Sequence, residues 1–233
     1  MLSPLLSNIV LNELDKELHA RGHRFVRYAD DCSIYVRSEK SAQRVMETIT
    51  DHIEGNLKLK VNRTKSKVSR PNECTLLGFS FYKSEKRWEI RIAPKSLRRI
   101  KKKMKEQTQR KSPGSVKEKI KKMEATIRGW VNYFSISKAK SKFKEIDELV
   151  RTRLRMGIWK QWKKPKTKMR NLQKLGINSQ KAYEWSNSRK GCCRIAQSPI
   201  LRRALTNDYF SRQGYIGFAN YYFWKTEHQL KLF

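Results

Sequence analysis

Apolar and polar positions in the first part of the chain alternate in a helix, hairpin, helix order. One set of apolar residues recurs at near-helical spacing and predicts a helix over about residues 3–20. The set is Leu5, Ile9, Leu11, Leu14 and Leu18. Two β-prone runs follow, 25–29 and 32–36, and the two acidic residues between them, Asp30 and Asp31, predict a hairpin turn.

The next segment predicts one more helix and further strands. Val45, Ile49 and Ile53 recur every four residues, which predicts a helix over 41–57. Residues 58–61 are predicted as a strand, and 75–82 with 88–92 as a second hairpin. This order predicts an α+β fold in which helices cover one face of an antiparallel sheet.

The pattern becomes purely helical and strongly basic from Pro94 to about Arg170, a stretch that carries about +20 of the net charge. Three apolar stripes predict a three-helix bundle with wide cationic faces. Their members are Leu97, Ile100 and Met104; Val116, Ile120, Met123, Ile127, either Trp130 or Val131, and Phe134; and Phe143, Ile146, Val150 and Leu154. Residues 112–114 (Ser-Pro-Gly) predict the break after the first helix. Short helices and Gly/Asn turns are expected beyond residue 163.

The charge balance indicates a polyanionic partner. Lys and Arg number 54 against 21 Asp and Glu, which gives a formal net charge of +33. A chain this cationic repels itself unless an anion neutralises it. No apolar run approaches the roughly 20 residues needed to span a bilayer, so nucleic acid is favoured over a membrane. The four cysteines form no C-x-x-C pair, which argues against structural zinc and fits a reduced, cytoplasmic setting. RNA-packaging proteins are equally basic without being enzymes.

The sharpest chemical motif is Tyr28-Ala29-Asp30-Asp31. Nucleotidyl transfer uses two closely spaced magnesium ions, and Mg²⁺ prefers carboxylate oxygens. Adjacent aspartates at a hairpin tip can present such oxygens. The alternative is an ordinary turn, since aspartate side chains readily bond to the backbone of a turn.

Several motifs in series resemble those of group II intron reverse transcriptase–maturases. The Tyr28–Asp31 segment is similar to the Y-A-D-D box of that family, and Arg128–Phe134 is similar to the maturase signature. The other matching segments are 3–9, 57–65, 77–79, 153–155, 159–163 and 171–176. Serial motifs in order are more specific than any single one. The resemblance covers nearly the whole chain.

The resemblance implies roles for residues of the amino-terminal part. Asp30 and Asp31 would be catalytic Mg²⁺ ligands, and Lys65 would contact the triphosphate; its alternative is a solvated surface lysine. The expected nucleotide- and primer-binding residues are Ser3, Pro4, Asn8, Tyr28 and Gly78. Their alternatives are a helix start for the first three and a strand bulge for Gly78. Expected partners are dNTP, a DNA primer or target, and group II intron RNA.

One element of the family pattern is expected upstream of Met1. The family metal site also uses an aspartate on an earlier palm strand, and the fingers precede that strand. We therefore expect weak metal binding and little polymerase activity unless an amino-terminal segment is supplied. The implied domains are a partial palm (1–93), the start of the thumb (94–131), the rest of the thumb with the maturase-specific domain (132–223), and a tail (224–233).

The helical part supplies the predicted RNA-binding residues. They are Lys101, Lys102, Lys121, Lys122, Arg128, Arg153, Arg155, Trp159, Lys160, Trp162 and Lys163. Acidic partners are scarce there, which favours phosphate contact over a merely solvated face. Trp130 and Phe134 are assigned to a core, whereas Trp159 and Trp162 lie among lysines and are predicted to stack on bases. Cys192 and Cys193 stand where the family usually has aromatic residues, and no H-N-H nuclease pattern follows.

Two functions remain open at this point. One is an RNA-directed DNA polymerase and maturase that assists splicing and retrohoming, with its polymerase site incomplete in this chain. The other is a splicing cofactor that binds intron RNA without polymerising. A bacterial cytoplasm is the expected location, with an organelle as the alternative.

Overall fold

A computed structural model describes residues 3–85, 87–110 and 114–229, apart from the side chains of Ser3, Pro4 and Gln229. The chain divides into two compact units, residues 1–88 and 89–233. Most described residues are helical, and two small antiparallel sheets complete an α+β fold, with strand orders β1-β2 and β3-β4-β5. The predicted fold class is confirmed at this level.

The first unit begins with the predicted helix, hairpin and helix. Helix α1 spans Ser3–Ala20, strands β1 and β2 span Arg24–Tyr28 and Asp31–Tyr35, and α2 spans Glu39–Gly55. Ser38 begins α2 by accepting a hydrogen bond from the Ser41 amide. The core of this unit consists of buried Leu14, Leu18 and Ile49, with partly buried Phe25 and Ile34 of the hairpin against it. The helices thus cover one face of the hairpin, as expected.

One predicted strand is wrong, and another is divided by a turn. Residues 58–61 form no strand, because their amides turn back to α2: Leu59 N donates to Ile53 O (3.1 Å) and Val61 N to Glu54 Oε1 (3.3 Å). The predicted strand 75–82 is broken at Leu77 and Gly78, whose φ angles are +50° and +80°. Positive φ at both central residues is the mark of a two-residue hairpin loop.

That loop joins two short strands. Strand β3 is Thr75–Leu76 and β4 is Phe79–Ser84, in antiparallel register with Thr75 opposite Ser80. Strand β5 follows at Arg87–Ile92, and a 3₁₀ turn at Pro71–Glu73 precedes the sheet.

The second unit contains the predicted three-helix bundle. Helices α3 (Pro94–Gln107), α4 (Val116–Phe134) and α5 (Lys140–Gln161) pack against one another. Ser115 and Glu118 form a reciprocal capping box that begins α4. The bundle core includes Met104, Met123, Ile127, Val131, Phe143, Ile146, Val150 and Leu154. The predicted break at 112–114 falls largely on residues 111–113, which lie outside the described residues.

Short helices complete the second unit. They are α6 (Pro165–Lys174), α7 (Ser179–Ser186), α8 (Cys192–Gln197), α9 (Pro199–Ala204), α10 (Asn207–Arg212) and α11 (Phe218–Gln229). Helix α11 packs on α4 and α5 and contains residues 224–229, which the sequence assigned to a tail. Buried Asp147 of α5 caps the amino-terminal end of α11. Its carboxylate accepts hydrogen bonds from the amides of Phe218 (2.8 Å) and Ala219 (2.9 Å) and from the Tyr215 hydroxyl (2.6 Å).

Candidate functional site

The two-residue loop of the acidic hairpin lies one residue earlier in the chain than predicted from the sequence. Tyr28 pairs with Asp31, so the two-residue loop is Ala29-Asp30 and Asp31 already belongs to β2. Because side chains directly opposite one another share a face, Tyr28 and Asp31 lie on the same side of the hairpin. Tyr28 is 62% exposed, and both aspartates are exposed. Among the described residues, neither aspartate carboxylate forms a hydrogen bond or an ion pair.

The loop is held in a strained backbone conformation. Ala29 has φ +52°, in the left-handed region that non-glycine residues rarely occupy. Such a residue costs about 1–2 kcal/mol and persists only where its surroundings enforce it. At this tip the enforcing contact is a hydrogen bond from Arg27 Nη1 to the Ala29 carbonyl (2.9 Å).

Arg27 connects the loop to helix α1. Its Nε and Nη2 donate to the two carboxylate oxygens of Asp15 at 2.7 and 2.6 Å, a bidentate pair. Its Nη1 also donates to Asn8 Oδ1 at 3.0 Å. The hydrogen bond to Asp15 raises the pKa of Arg27, which keeps the guanidinium charged. The role of Arg27 was not predicted from the sequence. Its position directly before the Tyr-Ala-Asp-Asp segment, on the inner face of a strand, was the feature that could have indicated it.

The structure brings some predicted residues of this region together and leaves others apart. Asn8, Tyr28, Asp30 and Asp31 are all linked to Arg27 or to the loop it holds. Ser3 and Pro4 begin α1, and their side chains lie outside the described residues.

The two remaining predicted residues of the first unit lie in other turns. Exposed Lys65 sits in a turn closed by Asn62, whose Oδ1 accepts from the amides of Thr64 and Lys65. Within the described chain, no hydrogen bond or ion pair joins the Lys65 side chain to the hairpin. Gly78 is the second residue of the β3–β4 loop.

The hairpin alone suits one hydrated magnesium ion better than a pair. Mg²⁺ is often held by one or two carboxylates with water completing its shell. Two ions a few ångströms apart need more ligands than two carboxylates supply. Within the described residues, no group of three or more His, Cys, Asp or Glu side chains is placed to share a metal. The residues present therefore do not fit a two-metal centre by themselves.

The second unit presents lysines on the solvent faces of its helices. Lys102, Lys121, Lys122 and Lys160 lie on helices, and Lys163 lies between α5 and α6. All five are exposed, and none forms an ion pair with a described residue. Two of the predicted cations are partly neutralised. Lys101 lies 3.4 Å from Glu145, and Arg128 lies 2.8 Å from Glu124 with its guanidinium 5.1 Å from the centre of the Tyr221 ring.

Two predicted RNA-binding residues are buried, and a third is partly buried. Trp159 is 4% exposed, which leaves too little ring surface for a base to stack on. Arg155 is 5% exposed and donates to the Leu205 carbonyl at 3.0 Å; burial lowers the pKa of Arg155 to about 10. Arg153 is half-buried and donates to Thr108 Oγ1 at 2.7 Å. Their positions along α5 turn these side chains toward the rest of the second unit. The prediction of exposure relied on the basic residues around them and did not take this spacing into account. Trp162 is half-buried and keeps part of its ring accessible.

Comparison with known proteins shows which family this arrangement belongs to. Residues 1–81 match the model of the reverse transcriptase (RNA-dependent DNA polymerase) family. Residues 97–176 match the model of the group II intron maturase-specific domain. The chain belongs to the group II intron reverse transcriptase/maturase family. The reverse transcriptase match contains the acidic hairpin, and the maturase-specific match contains most of the three-helix bundle and α6.

A curated relative of this chain is Protein YkfC of Escherichia coli (strain K12). The two are 30% identical over 128 residues, which covers 40% of this chain and 34% of the relative. The chain thus spans about a third of the length of the curated relative it matches. No helix among the described residues has the length and apolar character needed to cross a bilayer.

Proposed function

We propose that this chain binds group II intron RNA through the lysine-bearing faces of its second unit and thereby assists splicing. The single observation that carries the proposal is a set of exposed lysines without acidic partners among the described residues. Lys102, Lys121, Lys122 and Lys160 lie on helices that pack through their opposite faces, and Lys163 lies in the segment between α5 and α6. Phosphates that neutralise such charges release counterions, which is the main source of affinity for nucleic acid. The maturase-specific match over the same helices supports intron RNA as the ligand.

We further propose that the hairpin contributes two carboxylates to an RNA-directed DNA polymerase centre that serves retrohoming. Asp30 and Asp31 are exposed and unpaired among the described residues, and Arg27 fixes the loop that carries them. Mg²⁺, when bound, would supply the Lewis acid that polarises phosphoryl oxygens. The fit to a metal pair requires a further carboxylate in addition to these two. dNTP and a DNA primer or target are the corresponding substrates.

RNA binding is tested by the salt dependence of affinity for a transcribed group II intron RNA. We expect the double variant Lys121→Gln/Lys122→Gln to lower the slope of log K against log salt by about 0.7–0.9 for each phosphate that is no longer neutralised. The matched control is Lys16→Gln/Lys142→Gln, because these ammonium groups already lie 2.7 Å from Glu13 and Glu145. An affinity that is independent of salt, or an equal change in both variants, would contradict the proposal.

The polymerase proposal is tested by primer extension on an RNA template with Mg²⁺. We expect the chain alone to extend poorly, and extension to appear when the preceding palm segment of a related reverse transcriptase is supplied as a separate chain. Asp30→Ala should abolish the restored activity. Strong Asp30-dependent extension by the chain alone would show that two carboxylates suffice. Stimulated splicing with no extension in any mixture would favour a splicing cofactor that does not polymerise.

A further inference from the structure

An open cationic pocket of about 760 Å³ lies in the second unit, between the residues that follow α3 and the start of α8. Its lining residues are Arg110, Ser188, Arg189, Lys190, Gly191, Cys192, Cys193 and Arg194. Four of these eight residues are cationic, and none is acidic. None of the lysines of the proposed RNA-binding faces is among these lining residues.

The charges of the pocket lack carboxylate partners among the described residues. Arg110 Nη1 lies 3.1 Å from Cys192 Sγ, and a thiol is only a weak acceptor. Arg189, Lys190 and Arg194 are accessible and form no ion pair with any described residue. Such a cluster raises the local potential and favours an anion that can neutralise several groups at once.

A neighbouring arginine is affected by the same charge excess. Arg153 donates to two uncharged acceptors, Thr108 Oγ1 (2.7 Å) and the Lys105 carbonyl (2.8 Å). Burial lowers the pKa of Arg153; the interaction with Cys193 opposes this shift, and the Arg110 charge adds to it to a smaller extent. No described carboxylate forms an ion pair with either guanidinium group, so an external anion would relieve the repulsion between them.

We propose that this pocket binds a backbone phosphate of RNA together with its nucleotide. Guanidinium groups match phosphate oxygens in a two-pronged geometry, and several of them converge on the pocket. Its volume lies in the range of roughly 300–1,000 Å³ that suits a small ligand such as one nucleotide. The position of a side chain at Gly191 is open space, so a sugar or base meets no bulky group there. This inference rests on the proposed RNA binding and names one of its contact sites.

Occupancy of the pocket can be measured through thiol reactivity, because Cys192 and Cys193 line it. Alkylation of these thiols with iodoacetamide is followed by peptide mapping, with exposed Cys32 of the first unit as the reference in the same sample. The ligand is a single-stranded RNA of about 20 nucleotides, long enough to fill sites of the usual size. At RNA concentrations about tenfold above Kd, we expect alkylation of Cys192 and Cys193 to slow about tenfold by mass action.

A parallel sample contains inorganic phosphate in place of RNA, at the same phosphate concentration. Protection by RNA but not by inorganic phosphate supports the proposal. Equal protection by inorganic phosphate overturns it in favour of a small-anion site. RNA that binds without protecting these thiols overturns the pocket but leaves the proposed RNA binding intact, whereas RNA that does not bind at all overturns both.

A pair of charge-matched variants tests the same site through affinity. Arg189→Gln/Lys190→Gln removes two pocket cations, and Lys181→Gln/Arg212→Gln removes two exposed cations of α7 and α10. We expect the pocket variant to abolish the RNA protection of Cys192 and Cys193 and to lower the salt slope by about 0.7 for each phosphate left without its cation. Unchanged protection in the pocket variant would refute the assignment.

Discussion

Asp147 offers the clearest quantitative test of how the second unit is assembled. The change Asp147→Ala removes one carboxylate from a site that is 2% exposed and leaves three donors without an acceptor: the Tyr215 hydroxyl and the amides of Phe218 and Ala219. Each buried donor left unsatisfied costs about 1–3 kcal/mol. The three share one acceptor group and are not additive, so we expect a loss of about 3–5 kcal/mol in the free energy of unfolding.

That loss is a large part of the stability of a domain, which is typically about 5–15 kcal/mol. Urea unfolding followed by tryptophan fluorescence reports chiefly on the second unit, because five of the six tryptophans belong to it and only Trp88 belongs to the first. With a urea slope of about 2 kcal/mol per molar, the midpoint should fall by about 1.5–2.5 M.

Two further variants set the scale of this effect. Asp147→Asn keeps one acceptor oxygen but turns an amide NH₂ toward a donor, so we expect an intermediate loss of about 1–2 kcal/mol. Glu148→Ala is the matched neighbour: its ion pair with Arg202 (2.6 Å) is exposed, and such pairs contribute about 0–1 kcal/mol. If Asp147→Ala and Glu148→Ala shift the midpoint equally, the buried carboxylate does not hold α11 in place and the reasoning is refuted.

Three further predictions concern Tyr215 and the hairpin. Burial raises the pKa of Tyr215 well above its usual value of about 10, so the contribution of the neutral hydroxyl to stability is complete below pH 10 and declines above it. The difference in the free energy of unfolding between the unchanged protein and Tyr215→Phe, measured in urea, should therefore shrink as the pH rises above 10. A difference that stays constant with pH would contradict this. Arg27→Lys cannot keep the bidentate pair with Asp15 and should lower hairpin protection by about 1–2 kcal/mol in amide hydrogen exchange, whereas unchanged exchange would make the network dispensable. Glycine adopts positive φ without steric cost, so Ala29→Gly should leave the hydrogen-exchange protection of the hairpin equal or higher. The comparison variant Ala42→Gly, inside α2, should lower stability by about 1 kcal/mol. Equal losses in the two variants would refute the strain at Ala29.

Apolar burial is uneven between the two units. Among the described residues of the first unit, the buried apolar side chains are Leu14, Leu18 and Ile49, whereas the second unit buries most of its α4 and α5 stripes. On α1, Leu5 and Ile9 are each 59% exposed, and Leu6 is 56% exposed. Burial of one large apolar side chain contributes about 1.5–3 kcal/mol, so the second unit has far more apolar stabilisation than the first.

Elements that depend on local periodicity could be predicted from the order of the residues. The α1 stripe predicted 3–20, and the helix spans Ser3–Ala20; the α5 stripe predicted the buried positions Phe143, Ile146 and Val150. Helical spacing is a property of neighbouring residues, so it can be found without knowing the fold. The serial motifs also identified the family, because order along the chain needs no tertiary information.

Contacts between side chains that are far apart in the sequence could not be predicted and became known from the folded structure. Asp147 and Phe218 are 71 residues apart, and Arg27 reaches Asp15 and Asn8 on a different element. The lysine-rich context of Trp159 predicted exposure, yet its ring is in the core, because the face that a helix buries depends on what packs against it. The strand predicted at 58–61 failed for the same reason: its amides found acceptors on α2, which no local pattern records.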